Sequence, residues 1–481
     1  MSLNAFMKKY WLQLVIGVVS VVLLVCNIMR MIYVDVTYDE SSTYLEYISN
    51  AYSNIFHNIP TTANNHFLNS FLAKLFIRLF GDTLFVIRMP GLLALVVYLL
   101  FSYKLAKKLF NDKLWVLTCF LLLQFNPFLF EFMGLSRGYG LAIAMMTASI
   151  YYLIKYLQES KNSMLFCSMI FVVLAVYANL SILNYAAAWV AVVGIHQLRI
   201  RNGRSLLTAT SIILLTGIVI YLLLGKQIAD LRASKQLYYG GTSDFIHDTL
   251  ASLVRESMFI NSSNRIVYYI AVVLVVLVFL ASRYWMVKWL KKKEADINGI
   301  ALGMLFIIPA LATVAQHYLF KTPYLVERTA LFFYPLLILA LLYTLCHIIN
   351  QRQNYMRWLP ATLMFLFLFN FAGNLNFSSA RSWTFDQHTS WLLERMVREK
   401  KNDDKIKVYL EWLISGSFRY TIKKEYPEKF EQLETWEHNL YNDTEYDYYL
   451  VYKHDAGIVP DAYIQDTVFH NNSVCLYKKK H

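Results

Sequence analysis

The stretch VDVTYDESSTY, Val34 to Tyr44, follows the first long apolar run of the chain and carries three carboxylates, Asp35, Asp39 and Glu40, where a membrane surface is expected. Asp39 and Glu40 are neighbours, so on a helix they point about 100° apart and cannot share one proton as a facing pair does. One acid can then take a proton from a bound hydroxyl while the other orients it. The plainer reading is a helix start: Ser41, Ser42 and Thr43 suit one, with Asp39 near the cap, and an acid there stabilises the first turn without any chemistry.

Four cationic side chains fall in loops on the same predicted face. His66 opens NNHFLNSFLAKLFIRLFG, Arg137 sits in FEFMGLSRGYG with Glu131 and Tyr139 nearby, and Lys321 and Arg328 sit in KTPYLVERTALFFYPL, with Glu327 beside Arg328. Each has an ordinary reading: a solvated loop histidine, or an interfacial arginine paired with an acid or reaching to headgroups. Together they supply donors for a phosphate at the interface, a task for which the planar guanidinium fork, always protonated, is well shaped. A carboxylate and a phosphate grip fit one reaction. A polyprenyl-phosphate sugar keeps its tail in the bilayer, the carboxylate deprotonates an acceptor hydroxyl that attacks the anomeric carbon, and the cations stabilise the departing phosphate, with inversion at that carbon.

What must position these residues is a membrane domain. The 481 residues are 57% hydrophobic and 16% charged, with mean hydropathy +0.40, against about 45–50% and about 25% for soluble domains. Runs of the roughly 20 apolar residues needed to cross a bilayer predict about eleven transmembrane helices, at 11–33, 84–103, 114–133, 138–157, 164–179, 182–198, 205–224, 266–285, 299–318, 329–349 and 358–375. The first is too long for a signal-peptide core and lacks a small-x-small cleavage site, so it is expected to stay as an anchor. When the spans alternate, Lys8/Lys9, Lys104/Lys107/Lys108/Lys113, Lys155/Lys161, Arg199/Arg201/Arg204, Arg283/Lys288/Lys291/Lys292/Lys293 and Arg352/Arg357 share one side. The positive-inside rule makes that side the cytoplasm and the N-terminus cytoplasmic. The +13 net charge is then a topology signal and an attraction to anionic membrane lipids; no phosphate-cradling glycine loop, zinc-spaced cysteine set or RNA-binding signature points to nucleic acid.

The expected organisation is a helical polytopic membrane domain over 1–375 and a small extracytoplasmic α/β domain over 376–481. Function is sought in the outer segments: a first loop at 34–83 with interfacial helices, a loop at 225–265 whose Gly240-Gly241 pair marks either a lid or a passive linker, and a short loop at 319–328. In the first loop, STYLEYISNAYSNIF reads as an amphipathic surface run, and Phe67, Leu68, Phe71, Leu72, Leu75, Phe76 and Leu79 recur with helical period. In the tail, KIKVYLEWL, YDYYLVYKHD and SVCLYKKK read as three strands around a helix at SGSFRYTIKKEY. Four of five cysteines lie in spans, leaving Cys475 alone in the tail, so no disulfide framework is expected outside. The triplet Asn442-Asp443-Thr444 is a formal glycosylation acceptor of no weight here.

The Asp-Glu pair after the first span, the Asn-His-opened helix leading to RLFGDTLFVIRMPGLLALVVYLLFSYKLAKKLF, the hairpin NPFLFEFMGLSRGYGLAIAM and the element PYLVERTALFFYPLL together resemble the C-type glycosyltransferase superfamily, in its branch of protein O-mannosyltransferases and the lipid A aminoarabinose transferase. The resemblance is clearest over residues 1–200, returns near 320–345 and fades in the tail. It implies sugar transfer from a polyprenyl-phosphate donor on the extracytoplasmic face to a glycan, lipid or protein acceptor. Position by position, it implies Asp39 as the catalytic carboxylate and Glu40 as its companion. His66 falls where relatives face the donor phosphate with His or Lys, Arg328 matches an arginine near the carrier pocket, and Arg137 matches a basic residue of the second outer loop. Asn65 stands where some relatives place an acid that helps hold a divalent metal, so no cofactor is required by the resemblance; a metal, if present, would take Asp39 and His66. The rival class is a flippase or transporter of polyprenyl-linked glycans, with a polymerase or ligase closer in chemistry. The transporter is disfavoured because the spans carry no midplane charges and no evident inverted repeat. Lys, Tyr and Asn usage and the absence of long cytosolic insertions lean to a bacterial inner membrane.

Overall fold

Backbone that meets lipid must satisfy its own hydrogen bonds, which leaves helices as the economical way across a bilayer for a chain of this composition. The computed structural model describes residues 3–200, 202–258, 262–291, 296–351, 358–400, 404–431, 446–469 and 474–480. Arg201, Lys292, Lys293, Arg352, Arg357 and the 442–444 triplet lie outside the described residues, as does the side chain of Lys8.

The helices that matter here are α1 (Leu3–Tyr33), α2 (Tyr38–Thr43), α3 (Phe67–Phe80), α4 (Met89–Leu109), α5 (Lys113–Gln124), α6 (Pro127–Gly134), α7 (Gly138–Glu159), α8 (Asn162–Ala178), α9 (Leu183–Ile200), α10 (Gly203–Ala233), α11 (Asn264–Leu290), α12 (Ile297–Phe320), α13 (Phe333–Gln351), α14 (Leu359–Asn374), α15 (Thr389–Glu399) and α16 (Trp412–Glu425). Among the described residues eight helices are long and apolar enough to span a membrane, and a ninth span forms if the pair α5 and α6, bent by 63° at Phe125-Asn126, is counted as one. The expected eleven is reached only by adding the shorter apolar helices α8 and α14. The bend has a local cause: Asn126 caps α6 by accepting the Leu129 N–H at 2.9 Å, and Pro127 at the first helical position cannot continue the ladder of α5. The protein is an integral membrane protein with a small C-terminal sheet.

The described chain divides into two compact units. The first comprises Met1–Ile28, Thr61–Phe76 and Ile87–Leu375. Its interior is stapled where lipid offers no competing partner: Trp189 Nε1 donates to Ser168 Oγ at 2.8 Å, Tyr185 OH donates to Ser149 Oγ at 3.0 Å, and the two serine hydroxyls lie 3.1 Å apart. This buried chain of hydroxyls joins α7, α8 and α9.

The second unit comprises Met29–Pro60, Ile77–Val86 and Asn376–His481, so two pieces of the first outer loop cluster with the tail, and 375 is not the sole boundary. Its sheet has strands β1 (Val408–Leu410), β2 (Tyr448–Tyr452), β3 (Tyr463–Phe469) and β4 (Val474–Lys479) in the order β1-β2-β4-β3, with β1 and β2 parallel and the other pairs antiparallel. Leu393, Leu410, Phe418, Leu450 and Leu476 fill its core between sheet and helices. Three strands were expected; β3 is a fourth, disguised by its polar centre Gln465-Asp466-Thr467, where the register shifts by a bulge. The expected helix at 415–426 is α16, and α15 precedes the sheet.

The surface run expected over STYLEYISNAYSNIF is broken rather than continuous. Helix α2 passes into a π-helical turn at Tyr44–Ile48, stops, and restarts at Tyr52–His57. Helix α16 presses on α2: a Cβ at Gly416 would lie 2.6 Å from the Tyr38 ring and 2.8 Å from Ser41 Oγ. The substitution Gly416→Val therefore overpacks this junction and is expected to destabilise the second unit by about 1–3 kcal/mol, seen as earlier melting of the purified protein, while Gly457→Val, at a site with open space around it, leaves melting unchanged.

Candidate functional site: a buried cation group and a capped acid pair

In the first unit, three of the sequence-selected residues come together. His66 is 6% exposed and Arg137 2% exposed. His66 packs edge-on against Tyr139, ring centroids 4.9 Å apart, and the Arg137 guanidinium lies 6.0 Å from the centre of the same ring. Arg137 also donates from Nη1 to the Asn64 carbonyl at 3.3 Å. Arg328 lies over the Tyr239 ring at 4.3 Å, and Tyr239 OH donates to Glu327 Oε2 at 2.8 Å. Aromatic faces thus carry both guanidinium groups, an arrangement that favours cations poorly supplied with water.

The histidine is set by a close approach of backbone. A Cβ at Gly138 would lie 2.1 Å from the Ala178 carbonyl oxygen and 2.7 Å from His66 Cβ, so only glycine lets the start of α7, the end of α8 and His66 meet. The His66 ring hydrogen-bonds the Ala178 backbone, and its Nε2 is buried with no hydrogen-bond partner among the described residues. Burial pushes the imidazole well below its ordinary value of 6.5, and the charges of Arg137 and then Arg328 push the same way. His66 is accordingly a neutral ring with one fixed nitrogen and one available.

The local backbone at Arg328 is strained. Glu327 adopts φ 46° and its N–H donates to Ser252 Oγ at 2.9 Å. A left-handed conformation costs a non-glycine residue about 1–2 kcal/mol, sustained here by the bonds to Tyr239 and Ser252. The 225–265 segment is tied at this point: Gly241 and Tyr324 exchange N–H···O bonds of 2.9 and 2.8 Å. Lys321 is not brought into the group; it is the exposed, left-handed cap at the end of α12.

The acids belong to the second unit. The cap of α2 is Thr37, not Asp39: Glu40 N–H donates to Thr37 Oγ1 at 3.3 Å, and Thr37 N–H donates back to Glu40 Oε2 at 3.1 Å. Glu40 is spent on this capping box, whereas Asp39, one residue earlier, is not needed for it. A residue that sequence reasoning missed stands beside them. Asp386, 2% exposed, accepts the Tyr38 N–H at 2.6 Å. Burial pushes its carboxyl well up and the charges of Asp39 and Glu40 add to this, against hydrogen bonds from Ser417 and the Tyr38 backbone. Glu46 is raised too, by burial and then by Asp39. No local motif marks Asp386, because the contact spans most of the chain. Among the described residues no three His, Cys, Asp or Glu side chains gather into a group able to hold a metal ion.

Two outcomes follow. His66 has a folded-state value below its unfolded one, so the unfolded chain takes up more protons and stability falls as pH drops below about 6.5; replacing it by Gln should flatten the loss of melting temperature between about pH 6.5 and 5. Asp386→Ala removes the acceptor of the Tyr38 amide and should speed hydrogen exchange across Tyr38–Thr43 several-fold, whereas Asp386→Asn, which still presents an oxygen, should leave exchange near wild type.

Residues 64–225, which hold His66 and Arg137, match the family model described as dolichyl-phosphate-mannose-protein mannosyltransferase. No curated protein sequence matches the chain. Among solved structures, ArnT from Cupriavidus metallidurans in the apo state is similar with a TM-score of 0.57 at 8% identity, over 98% of both chains. The same enzyme bound to undecaprenyl phosphate gives 0.53 at 9% identity, over 97% of this chain and 98% of that one. At these identities the likeness speaks for the fold. The family match is thus confined to residues 64–225, and the fold shared with ArnT runs the length of the chain.

Proposed function

We propose that the chain is an inverting glycosyltransferase that moves a sugar from a polyprenyl-phosphate carrier to an acceptor hydroxyl at the extracytoplasmic face of a bacterial inner membrane. The observation that carries the reading is the group of His66, Arg137 and Arg328: two guanidinium ions on aromatic supports and a neutral histidine with an available nitrogen. Two guanidinium groups on ring faces beside a neutral imidazole offer donors to an anion, and a phosphate monoester or diester is the anion a membrane-embedded transferase meets. The fold shared with ArnT, which has been solved with undecaprenyl phosphate bound, supports the same carrier class.

In the proposed reaction the acceptor oxygen forms a bond to the anomeric carbon as its proton passes to the Asp39 carboxylate. The bond from that carbon to the phosphate oxygen breaks, its electron pair leaving with polyprenyl phosphate, and Arg137 and Arg328 stabilise the charge that grows there. Asp39 is assigned the base because Thr37 and Glu40 perform the capping of α2, which leaves the Asp39 carboxylate outside the capping box. Glu40 fixes the helix start that presents it. Lys321 is assigned an outer contact to the carrier phosphate, secondary to the buried group.

The test is a single-turnover reaction of purified protein with short-chain polyprenyl-phosphate sugars and an extract containing glycan, lipid and protein acceptors, read by mass spectrometry as released polyprenyl phosphate. Wild type should release it; Asp39→Asn should be slower by about 10²–10⁴-fold while melting as wild type does. If the donors bind and neither protein turns them over, the transferase reading fails and flipping of the carrier becomes the activity to measure.

A further inference from the structure

The opposite end of the first unit contains a second polar pocket that the transfer reaction does not use. Helix α7 begins beside Arg137 and runs 22 residues, about 33 Å at 1.5 Å per residue, so its far end lies a membrane thickness away from the cation group. There the last residues of α7 and α9 and the first of α12 surround a pocket of about 440 Å³, lined by Leu157, Ser160, His196, Arg199, Asp296 and Asn298 among others.

Two buried side chains lining this pocket are left unsatisfied among the described residues. His196 is 4% exposed, and neither ring nitrogen has a hydrogen-bond partner; its ring rests edge-on against Tyr156 at 5.1 Å. Asn298 is also buried and its Oδ1 has no partner, while its N–H is bound by Asp296 Oδ1 at 3.0 Å. Leaving such groups unpaired is costly, and a ring with both nitrogens bare asks for a donor and an acceptor at once. The exposed Arg199 adds a cation at the rim, and Asp296, which accepts from Tyr343 OH, adds a carboxylate. Acceptors for a donor group, donors for an anion and apolar walls from Leu157, Ile200 and Ile297 are the complement of a phospholipid headgroup that carries both phosphate and an amine or hydroxyl. A soluble phosphate ester would need the polar half of the lining and not the apolar half, and the pocket lies at the ends of spanning helices, where lipid headgroups sit.

We infer that the ends of α7, α9 and α12 form a binding site for one phospholipid headgroup, its phosphate on Arg199 and His196 and its donor group on Asn298 Oδ1 and Asp296. This site is independent of sugar transfer.

The experiment is native mass spectrometry of the full-length detergent-purified protein, titrated with phosphatidylethanolamine, phosphatidylglycerol or diacylglycerol, for wild type, His196→Leu and Arg199→Gln. His196→Leu replaces an unsatisfied ring by an apolar side chain of similar size, so it should melt at the same temperature or higher without lipid, which excludes misfolding as the cause of any loss; Arg199→Gln keeps a polar side chain at an exposed position, and its melting is measured beside it. Wild type should hold one phospholipid at least fivefold more tightly than either variant, and diacylglycerol should not distinguish the three proteins. Equal phospholipid affinity in wild type and both variants would overturn the inference. So would stabilisation of wild type by phosphoethanolamine or glycerol phosphate to the same extent as by the lipids, which would make the occupant a soluble ester.

Discussion

The candidate site depends on the cost of keeping two guanidinium groups and an imidazole together in little water. Arg137 is almost wholly buried, and Arg328 is close enough to lower the affinity of His66 for a proton. Such a group is tolerable only if each member is held by something other than solvent. Tyr139 and Tyr239 offer ring faces, the Asn64 carbonyl takes one Arg137 donor, and His66 responds by staying neutral. The strained turn at Glu327 and the bridge between Gly241 and Tyr324 both serve to hold Tyr239 and Arg328 where they are.

The second unit shows a related economy in the opposite sign. Carboxyl groups from Asp39, Glu40, Glu46 and Asp386 crowd the start of one short helix, and their mutual repulsion is met by spending them differently. Glu40 closes a capping box and Asp386 accepts a backbone amide across more than three hundred residues of sequence. The tail therefore does more than cover the sheet: it supplies an anchor for the helix that carries Asp39.

Much of this was readable in the chain. Long apolar runs announce spans because lipid punishes anything else, and the period of α3 is plain for the same reason. His66, Arg137 and Arg328 stood out as charges at membrane edges, and the structure gathers all three. Local rules failed where a nearer competitor won or where the partner was distant. Asp39 looked like the cap, but Thr37 two residues earlier takes that role with Glu40. The amphipathic run after it breaks at Ser49-Asn50, and β3 hid behind a polar bulge. Tyr239 and Asp386 carry no local signature, since each acquires its role from residues far along the chain, and Lys321, chosen for its charge, is an exposed helix cap.

The group of His66, Arg137 and Arg328 is proposed to grip the carrier phosphate. The most direct test is equilibrium binding of a short-chain polyprenyl phosphate to wild type, Arg328→Gln and Asp39→Asn in one detergent, without acceptor. Loss of a charged phosphate contact should weaken binding by Arg328→Gln about tenfold or more, with Asp39→Asn binding as wild type does. Equal affinity for wild type and Arg328→Gln would contradict the claim.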